Sequence, residues 1–243
     1  MSTDLRAEVA EANRAIERAG LVTLAFGNAS GVDRDAGVLW IKPSGQPCAD
    51  VRPDDLVAVA LDDGRVVEGQ ARPSSDTPTH RRIYLEFPEI GGVIHTHSAS
   101  AAAWAQAGRP IPALGTTHAD YFRGPVLISR HLVTDEVDGE YEWETGAVIA
   151  ETIRESGSAP ADSPAVLVRA HGPFTWGATP GDAVEAAIAL EAIATIAWRT
   201  LAIDPATPPI SADLLRRHFD RKHGPGAYYG QPSGSPGVGS RRP

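Results

Sequence analysis

The sequence is poor in cysteine, with Cys48 alone in 243 residues. No disulfide can form within the chain, which excludes the small secreted scaffolds that depend on disulfides. Basic residues are also in deficit, because 22 lysines and arginines face 31 aspartates and glutamates and leave a net charge of −9. General nucleic-acid binders and proteins that dock on anionic lipid normally carry the opposite charge. We therefore expect no nucleic-acid partner and no membrane partner.

Long uninterrupted apolar runs are missing as well. The N-terminus has no apolar stretch behind a basic region, so we predict no signal peptide. The most apolar long segment, 183–203, contains Glu185, Glu191 and Arg199, which is typical of a buried helix rather than a membrane span. Hydrophobic residues still make up 42% of the chain, enough for a full-size core. These features predict a folded cytoplasmic protein.

Helical and β-type patterns alternate along the chain. The spacing of Leu5, Val9, Ala12 and Ile16 predicts a first helix. Gly and Pro turns separate short β-rich runs at 21–26, 38–42, 56–61, 92–96, 125–128 and 165–169. Further helices are predicted at 99–107, 142–156, 180–202 and 211–222. The third of these is predicted to begin with a capping box formed by Thr179 and Asp182. The mixture predicts one α/β domain with a layered sheet. The last residues, 230–243, offer nothing to bury and are predicted to be disordered.

Two histidines form the clearest chemical motif. His95 and His97 alternate at the end of the apolar run 92–96. On a strand, alternate side chains share one face, about 6.5–7 Å apart along the chain. Two imidazoles on one face suit a divalent metal ion. A surface strand with two polar histidines has the same pattern, so the motif alone leaves both interpretations open.

Two further segments could complete such a site. His171 follows the buried run 165–169 and precedes a predicted Gly-Pro turn at 172–173. It could add a third imidazole, although a strand-end histidine is more often structural. Asp76 could supply a carboxylate. Beside it, Ser74 and Ser75 precede a predicted helix, where backbone N–H groups and the helix dipole suit an anion. Taken alone, these residues are better explained as a simple N-cap cluster.

Other polar turns follow the predicted strands. The turns at 27–30 and 42–45 are built from small residues, and Lys42 could supply the charge for a bound phosphate. Neither turn fits the P-loop pattern, and each turn taken singly is better interpreted as an ordinary turn. The segment 115–121 and the C-terminal segment 221–230 are dense in titratable groups. A tyrosine near a chain end can act as a proton donor in a neighbour's site, although packing is the commoner role.

Taken in order, these segments resemble the class II aldolase/epimerase family of metal-dependent sugar-phosphate enzymes. The resemblance is carried by LVTLAFGNASGVDR (21–34), IKPSG (41–45), RPSSDTPTHR (72–81), GGVIHTHS (91–98), WAQAGRPIPALGTTHADYFRG (104–124), GEYEWETG (139–146), AHGPFTWG (170–177) and RKHGPGAYYGQ (221–231). It implies one domain over 1–231 and a disordered tail over 232–243. The implied fold is a three-layer αβα sandwich around a central, largely antiparallel mixed sheet.

The resemblance also implies a divalent cation, usually Zn²⁺ with Mn²⁺ or Co²⁺ as alternatives, and no organic cofactor. Its implied ligands are Asp76, His95, His97 and His171. Aldolases of the family commonly carry glutamate in place of Asp76, which favours the family's epimerases, isomerases that act on a phosphorylated ketopentose. Aldolases of the fuculose- or rhamnulose-phosphate type are the alternative. A non-catalytic, adducin-like member is disfavoured because all four candidate ligands are present.

The remaining site residues are likewise implied by the resemblance. The family's phosphate pocket corresponds to Gly27, Asn28, Lys42, Ser44, Gly45, Ser74 and Ser75. The acid/base pair corresponds to Asp120 and Tyr229, which reach the metal from an adjacent subunit of a homotetramer. Four more positions near the site have less defined roles, namely Thr116, Glu142, His218 and Arg221. The pathway, arabinose or ascorbate breakdown, is left open.

Overall fold

An eight-stranded sheet forms the centre of the protein in a computed structural model that describes residues 4–229. Its strand order is β4-β3-β2-β1-β5-β8-β7-β6. All neighbouring strands pair antiparallel except β6 and β7, which pair parallel. The strands are β1 (Gly27–Asp33), β2 (Val38–Ile41), β3 (Val57–Ala60), β4 (Val66–Glu68), β5 (Gly92–Thr96), β6 (Leu127–Ile128), β7 (Ala165–Leu167) and β8 (Pro173–Gly177).

Helices cover both faces of this sheet. They are α1 (Leu5–Arg18), α2 (Thr77–Glu86), α3 (Ala99–Ala107), α4 (Thr116–Ala119), α5 (Thr134–Asp138), α6 (Tyr141–Ser156), α7 (Pro180–Ile203) and α8 (Ala212–His223). Helices α2 and α6 bury Ile83 and Ile149 against one face, whereas α1 and α7 bury Ile16 and Ala187 against the other. The predicted three-layer αβα sandwich with a largely antiparallel mixed sheet is confirmed. The predicted tail at 232–243 lies outside the described residues.

The first strand is not where the apolar pattern predicted it. The run 21–26 is a turn closed by the N–H of Phe26 donating to the carbonyl of Thr23, and β1 begins only at Gly27. The small polar residues predicted to form a turn therefore form a buried strand. Their size matters because a Cβ at Gly31 would lie 2.8 Å from side-chain carbons of Leu5 and Val9. Helix α1 could not pack this closely on a bulkier strand.

Strand β8 and helix α7 form the part of the fold that directly follows His171. Strand β8 begins at Pro173, where a Gly-Pro turn was predicted, and proline is tolerated there because it opens the strand. Helix α7 starts with the predicted capping box, in which Thr179 and Asp182 exchange hydrogen bonds. By length and composition α7 could cross a membrane. In this fold it packs on the sheet through residues such as Ala183, Leu190 and Ala194.

Candidate active site

Three histidines converge where β5 and the start of β8 lie side by side. His95 is in β5, His97 follows the end of that strand, and His171 precedes β8. The Nε2 atoms of His95 and His97 are 3.0 Å apart. One nitrogen from each of the three rings lies within 4.8 Å of the others. The strand-end histidines that were ambiguous in sequence are therefore neighbours in space.

His95 is held in one tautomer by its neighbours. Its Nδ1 lies 3.0 Å from the carbonyl oxygen of Pro173, which can only accept, so Nδ1 carries the proton. The Nε2 lone pair then faces the other histidines. The Phe174 ring stacks on His95 at 4.2 Å and 15°. Burial lowers the pKa of His95 to about 3, so the ring is neutral at physiological pH.

The other two rings share this preference for the neutral form. Burial lowers the pKa of His97. Burial also lowers the pKa of His171, and repulsion between the protonated forms of His171 and His97 lowers it further. Neutral imidazole is the form that binds metal ions. Three neutral nitrogens converging from different parts of the chain are a donor set that fits a divalent cation such as Zn²⁺. The cluster could therefore hold a metal.

Asp76 lies beside the histidines, at the position that directly precedes α2. Its side chain makes no capping hydrogen bond to that helix. Its Oδ2 accepts a 2.6 Å hydrogen bond from the amide of Asn28. Burial acts to raise the pKa of Asp76, but His95, His80 and the bond from Asn28 outweigh it and hold the pKa below its usual range. The carboxylate is thus charged. Among the described residues the closely converging ligand group contains the three histidines only.

A cavity of about 270 Å³ opens over these groups. Lys42 lies at its wall with its side chain buried, its ammonium donating to the carbonyl of Gln46 at 2.7 Å, and burial lowers its pKa. The cavity brings together all the residues predicted for phosphate binding, Gly27, Asn28, Lys42, Ser44, Gly45, Ser74 and Ser75.

The two serine-containing turns are joined along their backbones. The N–H of Ser44 donates to Arg72 at 2.9 Å, and the N–H of Ser74 donates to Lys42 at 3.0 Å. These two N–H groups are therefore occupied.

Sequence reasoning missed Tyr141, whose side chain also lines the cavity. Its hydroxyl oxygen lies 3.4 Å from Nδ1 of His171. Burial raises the pKa of Tyr141, so the phenol is neutral. The available signal was its place beside Glu142, a predicted site residue that lines the same cavity. The predicted helix began at 142, whereas α6 begins at Tyr141.

Helix α6 is fixed over the cavity by α2. The hydroxyl of Thr79 donates to the carbonyl of Glu142 at 2.5 Å. One turn later Gly146 meets α2 so closely that a Cβ there would lie 2.5 Å from Cβ of Arg82. Because α2 starts directly after Asp76, this contact sets the spacing between Asp76 and Tyr141.

Asp120 belongs to a second cluster, which does not line the cavity. Its carboxylate accepts from Nε and Nη2 of Arg221 at 3.0 and 2.7 Å and pairs with Nδ1 of His218 at 3.0 Å. Burial acts to raise the pKa of Asp120, but these bonds outweigh it and hold the pKa below its usual range. The Tyr229 ring lies 4.2 Å from the Arg221 guanidinium, and the carbonyl of Thr116 accepts the N–H of Asp120 at 3.0 Å. Five predicted site residues thus meet in a cluster separate from that of His95, His97 and His171.

Comparison with known proteins assigns most of the chain to one family. Residues 7–198 match the family model described as the class II aldolase and adducin N-terminal domain. The chain belongs to the class II aldolase family. The match includes both turns, the histidine cluster and Asp120, but ends before α8.

Relatives of this family member cover nearly its full length. The L-ribulose-5-phosphate 4-epimerase UlaF of Salmonella paratyphi B is 52% identical over 227 residues, spanning 93% of this chain and 98% of the relative. An L-fuculose 1-phosphate aldolase structure matches with a TM-score of 0.75 and 21% identity, over 91% of this chain and 97% of its own. The corresponding aldolase from Glaciozyma antarctica PI12 matches with a TM-score of 0.73 and 20% identity, over 91% and 84%. These structures share the fold.

Proposed function

We propose that this chain is an L-ribulose-5-phosphate 4-epimerase, an isomerase that interconverts L-ribulose 5-phosphate and D-xylulose 5-phosphate. The observation that carries the proposal is 52% identity to the Salmonella epimerase across almost the entire chain. The aldolase alternative is less supported, because the fuculose-phosphate aldolases share only 21% and 20% identity with this chain. We also propose that the protein is cytoplasmic, as expected for an enzyme of sugar-phosphate metabolism.

His95, His97, His171 and Asp76 are the proposed metal ligands. The three converging neutral imidazoles and the charged carboxylate beside them support this assignment. One carboxylate against a dication leaves net positive charge, which suits an anionic intermediate. We propose Zn²⁺, with Mn²⁺ or Co²⁺ as alternatives and no organic cofactor. When bound, such a cation supplies Lewis-acid stabilisation of developing oxyanions, worth several kcal/mol.

The chemistry of the substrate explains why an epimerase would share an aldolase fold. C4 of a ketopentose is not adjacent to the carbonyl carbon, so its proton is not acidic and simple deprotonation cannot invert it. Retro-aldol cleavage of the C3–C4 bond gives the enediolate of dihydroxyacetone and glycolaldehyde phosphate. The aldehyde rotates, and re-addition to its other face gives the inverted centre.

The cavity residues have the task of retaining the phosphate during this rotation. Release of glycolaldehyde phosphate would turn the epimerase into an aldolase. Lys42, with the hydroxyls of Ser44, Ser74 and Ser75, is suited to this task because the four residues line the same cavity as the histidines. Glycines and Asn28 complete the proposed phosphate pocket.

Asp120 and Tyr229 are proposed to transfer protons at the C4 oxygen, one on each face. They would act from a neighbouring subunit of a homotetramer. Their position outside the cavity of their own chain and the half-exposed ring of Tyr229 support this arrangement. Arg221 and His218 keep Asp120 ionised, the state a general base requires.

The test is turnover of L-ribulose 5-phosphate before and after chelation, followed by zinc add-back. We expect D-xylulose 5-phosphate to form, to cease with chelator and to return with zinc, with little free glycolaldehyde phosphate. Steady release of an aldehyde from this or a six-carbon sugar phosphate, without epimer, would favour the aldolase alternative and would make the roles of Asp120 and Tyr229 the first to be revised.

A further inference from the structure

The hydroxyl of Tyr141 lies beside His171, and both residues line the cavity. Its oxygen is 3.4 Å from Nδ1 of His171, and the two rings are 6.3 Å apart with an interplanar angle of 31°. Tyr141 also lines the cavity itself. The phenol is thus the neighbour of one nitrogen of His171, which leaves Nε2 as the nitrogen available to a metal ion.

A histidine that binds a metal through one nitrogen carries its proton on the other, and the partner of that proton fixes the ring. At His95 this partner is the carbonyl of Pro173. At His171 the corresponding group is the oxygen of Tyr141. If Nδ1 of His171 accepted a proton from the phenol instead, Nε2 would be protonated and could not bind a metal.

We infer that Tyr141 is a positioning residue whose hydroxyl oxygen accepts the Nδ1 proton of His171 and so keeps Nε2 free to bind the metal. The inference rests on the proposed metal centre and extends it. Helix α2 fixes the position of Tyr141, since the hydroxyl bond from Thr79 and the close approach at Gly146 hold the start of α6. The separation of 3.4 Å is long for a hydrogen bond. A cation on Nε2 would strengthen the bond by making the Nδ1 proton more acidic.

Zinc affinity of Tyr141→Phe, measured by competition with a chromogenic chelator, tests this role. Loss of a partner that orients a metal-binding histidine typically weakens binding by about 10–100-fold, and we expect a loss in that range. The matched control is Tyr121→Phe, which removes a hydroxyl that donates to Glu185 at 2.7 Å outside the cavity. This control should bind zinc as the parent does. Equal affinity of Tyr141→Phe and the parent would overturn the inference.

A second measurement uses the metal-free parent protein and therefore does not depend on whether a variant folds. Nitrogen-15 NMR of the metal-free parent should show His171 protonated at Nδ1, and protonation at Nε2 would overturn the inference. Neither measurement uses substrate, so the two proposals can fail separately. A protein without epimerase activity whose zinc affinity depends on Tyr141 overturns the proposed function alone. An active epimerase whose zinc affinity is indifferent to Tyr141 overturns the inference alone.

Discussion

Gly146→Ala tests whether the contact between α2 and α6 controls the cavity. An alanine in a helix normally stabilises by about 1 kcal/mol relative to glycine. Here the new Cβ would lie 2.5 Å from Cβ of Arg82 and 3.0 Å from the carbonyl oxygen of Thr79. Both are backbone or near-backbone atoms, so the helices must separate. Overpacking of this kind costs about 1–3 kcal/mol, which exceeds or cancels the gain.

We therefore expect Gly146→Ala to be destabilised by about 1 kcal/mol net, which lowers Tm by about 2–4 °C in a chain of this size. Thermal unfolding followed by circular dichroism measures this. The same displacement moves Tyr141 and Glu142 at the cavity, and misplacement by about 1 Å can cost about 10²-fold in rate. The expected variant is folded, slightly less stable and much slower.

The matched control is Gly181→Ala in α7. A Cβ at Gly181 would meet only the hydroxyl oxygen of Thr179, at 3.6 Å, so we expect unchanged or higher Tm and parental turnover. A Tm of Gly146→Ala above that of the parent would show that α2 and α6 have room to spare. The argument that this contact fixes Tyr141 would then be wrong.

Two further predictions concern the histidine cluster and the Asp120 cluster. Tyr229→Phe should lower turnover by about 10²–10⁴-fold while the protein keeps its metal, whereas His97→Asn should lose the metal. Metal analysis and kinetics of both variants check this prediction. Loss of metal from Tyr229→Phe and its retention by His97→Asn would invert the assignment. Because the folded-state pKa of Asp120 is depressed, its pairing stabilises the protein above the pKa of an unfolded aspartate, about 3.9, and is lost as pH falls through the lower folded value. Tm should therefore fall more steeply between pH 5 and 3 in the parent than in Asp120→Asn, and parallel curves would contradict this.

Local patterns predicted much of the fold because periodicity and capping are local. The stripe in α1 and the capping box of α7 needed only neighbouring residues, and both predictions are confirmed. The sequence pattern placed strand β1 at the wrong residues because the residues that form it are small or polar. They are buried because α1 packs closely on the strand at Gly31. Burial of that kind depends on distant elements and leaves no apolar alternation to detect.

The candidate site shows the same limit. The pair of His95 and His97 was visible as alternation on one strand, whereas His171 joins them only because β8 pairs with β5. Tyr141 went unnoticed because its relevance comes from the packing of α6 on α2. The resemblance to the family supplied Asp120 and Tyr229, whose position relative to the cavity no single-chain pattern could predict.

Asn28, His95 and Phe174 form one row across the sheet, since Asn28 pairs with His95 in β1 and β5, and His95 pairs with Phe174 in β5 and β8. Side chains in such a row point to the same face. A slip of one residue in either pairing would turn a whole strand over and send its member of the row to the opposite layer. The register of these two strand pairings is therefore itself a component of the chemistry, as indispensable as any side chain, although no single residue encodes it.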